Sequence, residues 1–153
     1  MRTRLLLTTV AAAALVLGLS GCEKPAPGAT AFSGTTSQSS EATCWGFDGA
    51  SIDVDECAGA VMAGAQSGDA VPTIPVVPGE TIGISVDQAV ADAGWQPIIN
   101  NQSRAAAPIR STYYRFTFPE LAEVPAEGVM MQIIAGDAGN LRGVWLFRLV
   151  PAS

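Results

Sequence analysis

Three cysteines and fourteen carboxylates are the groups from which this 153-residue chain could build reactive chemistry, because it contains no histidine. Without imidazole there is no Ser-His-Asp or Cys-His arrangement. Hydrolysis by two carboxyl groups needs a positioned pair, and any acidic chain offers such pairs without positioning them. No catalytic residue is assigned, and the chain reads as a non-enzyme. Asp48, Asp53, Asp55 and Glu56 gather four carboxylates within nine residues, yet their spacing departs from the D-x-[DN]-x-[DN]-G calcium loop. Acids in the first turn of a helix over 53–62 are the default reading, because they complement the helix dipole. Calcium at 48–56 stays open; no metal ligand or cofactor is assigned. The glycines at 136–143 lack the strand-turn-helix context of a phosphate loop. Trp45, Tyr113, Tyr114 and Trp145 are the candidate ligand-contact aromatics, although such residues more often pack in a core or a hairpin.

The elements that position these groups begin with an export signal. Arg2 and Arg4 precede an apolar stretch over 5–19, and small residues lead to Cys22. Fifteen residues diluted by Thr8, Thr9 and Gly18 fall short of the ~20 needed to span a bilayer. The run Leu19-Ser20-Gly21-Cys22 resembles the lipobox of bacterial lipoprotein precursors. That resemblance implies a diacylglycerol in thioether linkage on Cys22, cleavage between Gly21 and Cys22, and a mature protein held at the extracytoplasmic face of a bacterial membrane. At about 0.8 kcal/mol per buried methylene, the two or three acyl chains of a lipoprotein anchor stably where one chain does not.

Removal of 1–21 leaves a segment at 22–43 that is rich in Ser, Thr, Pro and Gly, with Phe32 its only large apolar residue. Such composition reads as a disordered tether. A flexible chain of about 20 residues reaches about 25 Å, and residues 44–153 are then a single extracytoplasmic domain. Loss of Arg2 and Arg4 leaves six basic residues against fourteen acidic ones, a net charge of −8, with no basic side chain between Lys24 and Arg104. Nucleic acid is thereby disfavoured as a partner, since phosphate binding requires clustered cations.

With Cys22 committed to lipid, Cys44 and Cys57 have only each other. Export places them where disulfides persist, and the bond closes a loop of 14 residues, worth roughly 3 kcal/mol.

From residue 70 onward the pattern is strands separated by turns. Residues 71–77 are extended, with prolines confining them to an edge. Residues 81–86 alternate in the strand manner. Ser85 with Gln88 suggests a capping box for a short helix over 85–93, closed by Gly94. Strands follow at 95–100, 109–118 and 129–135, and 141–150 pairs back on the last of these as a hairpin. Alternation places Val129, Met131, Ile133 and Ala135 on one face and Met130, Gln132 and Ile134 on the other. A strand this apolar on both faces belongs in the middle of a sheet. The Val-Val-Pro-Gly-Glu-Thr run at 76–81, Tyr-Arg-Phe-Thr-Phe-Pro-Glu at 114–120, and Val124-Pro125 with Glu127-Gly128 resemble immunoglobulin-like modules of bacterial surface proteins. The resemblance implies an antiparallel sandwich with Trp95 in its core, here with a short helical, disulfide-closed N-terminal extension. The alternative fold is α+β, two short helices on a four-stranded antiparallel sheet. Two functions follow. One is a binding or interaction module at the cell envelope, recognising an envelope protein or a glycan. The other is an accessory subunit of an envelope assembly with no ligand of its own.

Overall fold

The computed structural model describes residues 24–66, 71–120, 123–137 and 139–153. The expected cleavage site and Cys22, the expected lipid attachment residue, lie outside them. In chain order the elements are β1 (Gly28–Ser33), β2 (Thr36–Glu41), β3 (Cys44–Trp45), a 3-10 turn (Phe47–Gly49), α1 (Val54–Gln66), β4 (Thr73–Val76) and β5 (Thr81–Val86). They continue with α2 (Gln88–Ala93), β6 (Trp95–Ile99), β7 (Gln102–Ser103), β8 (Tyr113–Thr117), β9 (Val129–Asp137) and β10 (Asn140–Pro151). Among the described residues the fold is mainly β, with two short helices and the Cys44–Cys57 disulfide.

The strands form two sheets. The first runs β2-β1-β5-β8, antiparallel throughout; the second runs β3-β10-β9-β6-β7. β4 pairs parallel with β10 along Arg148–Pro151, against the antiparallel pairing of the other described strands of that sheet. Pro75 is tolerated there because β4 makes its only ladder with β10. Alternate residues of both sheets enter one core: Ala29, Ala31, Ile82 and Ile84 from the first, and Met131, Ile133, Trp145, Phe147 and Leu149 from the second. β9 lies between β10 and β6, as its apolar faces predict, and Ile133 is fully buried. Trp95 opens β6 with no exposed surface and donates its indole N–H to the Ser111 carbonyl at 2.9 Å.

The expected tether is corrected. Within 22–43, β1 and β2 form a hairpin that supplies half of the first sheet, and the folded unit therefore begins well before residue 44. Composition misleads here because the inward positions of β1 are Ala29, Ala31 and Ser33, which are small yet fully or nearly fully buried. The ladder to β5, not bulk, orders the segment. Gly34, with φ 55°, occupies the first central position of the two-residue turn, where a positive φ is required.

Three smaller expectations change. Ser85 stays in β5, paired with Thr30 and Tyr113, so it caps nothing; α2 starts after Asp87 and ends at Gly94, whose φ is 78°. The first helix runs to Gln66, beyond the expected 62, and Asp53 caps it by accepting the Glu56 amide at 2.9 Å. The disulfide Cys44–Cys57, with Cα atoms 5.8 Å apart, does not pin a separate extension. Cys44 lies in β3, which pairs with Gly143 and Val144, so the bond ties α1 to the edge of the second sheet. α1 covers the outer side of that sheet in a second cluster with Val144 and Leu146; Gly64 lets it approach Leu146 closely, and Arg148 donates to the Ala65 carbonyl at 3.0 Å. Two packed sheets replace the single four-stranded sheet of the α+β alternative.

Candidate functional site

The four candidate aromatics do not form one site. Trp145 alternates in parity with Phe147 and Leu149, which sends it inward; it is fully buried, and its indole N–H bonds the Pro27 carbonyl at 2.8 Å. It cannot contact a ligand. Tyr114 is half-buried, stands edge-on to Trp95 with ring centroids 6.3 Å apart, and spends its hydroxyl on the Arg104 carbonyl at 3.0 Å. Both aromatics serve packing.

Trp45 and Tyr113 remain accessible, at different places. Tyr113 is 47% exposed on the outer face of the first sheet. Phe32 stacks on it, centroids 5.9 Å apart and planes within 6°. The Phe32 ring lies across Gly83, where any Cβ would overlap it, so the glycine seats the ring flat on the sheet. The strand registers surround this pair with hydroxyls: Ser37 beside Phe32, Ser39 beside Thr30, and Ser85 between Thr30 and Tyr113. Thr30 and Ser39 share a hydrogen bond at 2.9 Å. Arg115, paired across from Gly83, places a cation on the same face. Phe32 is the residue that sequence reasoning missed. The alternation Ala29-Thr30-Ala31-Phe32-Ser33, small residues on one parity and larger ones on the other, carries the signal that the ring faces out.

Trp45 borders a cleft of about 490 Å³ at one end of the molecule, together with Lys24–Pro27, Asp48, Asp87, Asp92 and Arg142. Arg142 lies over the Trp45 ring at 5.5 Å and donates to the Gly46 carbonyl at 3.2 Å, so the ring face is already occupied by a cation. The carboxylates are partly engaged. Asp87 accepts the Gly28 amide at 2.7 Å, and Asp92 accepts the Gln88 side-chain amide at 2.8 Å. Asp48 sits in the left-handed region, φ 52°, in the turn after Trp45, a conformation that Asp tolerates better than most residues. Asp53 is consumed by capping α1. Among the described residues, no group of three or more His, Cys, Asp or Glu side chains is arranged to hold a metal ion.

What the two places offer differs in kind. The Phe32–Tyr113 face is flat, aromatic and hydroxyl-rich, suited to stacking and neutral hydrogen bonds. The cleft is concave and charged, with several of its groups already engaged inside the domain. No helix among the described residues is long and apolar enough to cross a membrane. Searches against protein families, curated proteins and solved structures each returned no match.

Proposed function

We propose that this chain is the precursor of a bacterial lipoprotein whose mature domain, anchored through Cys22 at the extracytoplasmic membrane face, is an immunoglobulin-like binding module without catalytic activity that takes a neutral glycan of the cell envelope. The observation that carries the reading is the Phe32–Tyr113 pair. Two parallel rings on the outer face of a sheet, one of them laid across Gly83 and the pair bordered by hydroxyls, suit a pyranose, which presents a C–H face for stacking and hydroxyls at its rim. The immunoglobulin-like assignment is supported by strand adjacency: the order β10-β9-β6 in one sheet against β5-β8 in the other corresponds to the G-F-C and B-E neighbours of that architecture. The buried Trp95 on β6 fits the same scheme.

The test compares binding of the full-length, processed protein and its Tyr113→Ala variant to purified envelope polysaccharides. Loss of one stacking ring should weaken binding about tenfold, equivalent to about 1.4 kcal/mol. Equal retention of both proteins on every polymer would contradict the reading.

A second reading, an accessory subunit, is favoured by one observation. Val54 and Met62 on α1 are 61% and 62% exposed, and Val54 lies beside the half-buried Ile98 and Ile134 on the outer side of the second sheet. A stoichiometric envelope protein captured by the wild type and lost with Val54→Ser would favour that reading over the glycan.

A further inference from the structure

The cleft end of the domain is also the end where the anchor attaches, and the distance between them is set by covalent geometry. Lys24, Pro25, Ala26 and Pro27 line the cleft. Where they enter β1 the chain is pinned by two bonds: the Pro27 carbonyl accepts the Trp145 indole N–H at 2.8 Å, and the Gly28 amide bonds Asp87 at 2.7 Å. Two residues of extended chain span at most about 7 Å, which bounds the separation of the Cys22 and Lys24 Cα atoms. A free tether of about 20 residues would reach about 25 Å and leave orientation open. Here the strand that follows the anchor is a central member of the first sheet, so no such slack exists.

We infer that the domain sits directly on the bilayer with this end down, so that the cleft and the adjoining 3-10 turn face the lipid headgroups. The inference rests on lipidation of Cys22 and adds to it an orientation. The chemistry of the surface agrees. Trp45 is an aromatic type that favours the water–lipid boundary, and Phe47, 39% exposed in the turn beside it, adds an apolar ring to the same end. Lys24 and Arg142 stand among Asp48, Asp87 and Asp92, a mixed-charge rim that fits zwitterionic headgroups better than a strongly anionic surface. β10 leads away from this end, and from Arg142 to Pro151 it rises about 30 Å. The Gly128 turn packs against its far part, at Arg148–Val150, and is thereby held clear of the membrane. β1 runs in the same sense from Gly28, which lifts Phe32 off the headgroups and leaves the outer face of the first sheet open to envelope polymers.

The experiment uses the full precursor, processed in cells and reconstituted into zwitterionic vesicles whose headgroups carry a contact quencher. A fluorophore is placed at the exposed Ala89→Cys in the cleft or at the exposed Glu127→Cys beside the far turn. The label at 89 should be strongly quenched and that at 127 not. Insertion of about 20 Gly/Ser residues after Glu23 should abolish the contrast by restoring a reach of about 25 Å. Equal quenching at 89 and 127 in a protein that floats with the vesicles overturns the orientation and leaves the anchor standing. A protein that does not float overturns both.

Discussion

The β1–β2 and β9–β10 hairpins enter the same core by opposite means. β9–β10 fills it with bulk: Met131, Ile133, Trp145, Phe147 and Leu149 have no exposed surface, and the outer faces of both strands are largely apolar as well. β1–β2 reaches it with Ala29, Ala31, Ser33 and Ser40, and turns Thr30, Ser37, Ser39 and Phe32 outward. One hairpin makes the core; the other closes it, its small residues fitting a space that Trp95 and Trp145 already occupy. A strand need not be hydrophobic to be structural when its neighbour supplies the ladder and the opposite sheet supplies the volume.

The contrast can be tested from both sides. At the bulky hairpin, Ile133→Asp places an unpaired charge in the centre of β9 and should cost on the order of 4 kcal/mol or more. A thermal melt with an unchanged midpoint would mean that residue 133 faces water. The disulfide fastens α1 over the outer side of that hairpin, so the double variant Cys44→Ser, Cys57→Ser should lose about 3 kcal/mol on the loop-entropy scale, read from denaturant midpoints. Retained stability there would show that packing on Val144 and Leu146 suffices. At the small-residue hairpin, Ala31→Leu should overpack the core by about 2 kcal/mol. A tether would accept leucine without effect, so a null result would dissolve the comparison.

The same contrast explains what the sequence disclosed. β9 and β10 are legible because their apolar runs are long and flank a turn at Asp137, and Trp95 because a strand signal follows it directly. The cysteine pair is legible because the lipobox resemblance assigns Cys22 another use and leaves Cys44 and Cys57 to each other. β1 is not, since its inward residues carry no bulk and window composition reads Ala, Ser and Thr as a linker. Ser85 misleads because the S-x-x-Q spacing fits a capping box, whereas its backbone is held in β5 between β1 and β8. The parallel pairing of β4 leaves no local trace, being a property of where the chain returns. The inward turn of Trp145 was readable in its parity with Phe147 and Leu149; grouping it with the accessible aromatics weighed residue type over period. The Phe32–Tyr113 platform joins residues 81 positions apart, and only the β1-β5-β8 register brings them together.

That register makes the N-terminal segment part of the fold, and the short connection to the proposed anchor depends on it. Amide hydrogen exchange of the processed protein tests it most directly. Ala31, which pairs with both Gln38 and Ile84, should exchange as slowly as Ile133 in β9, because both lie in central strands released only by global unfolding. Exchange across 28–41 at the rate of an unstructured chain, with Ile133 still protected, would contradict the account.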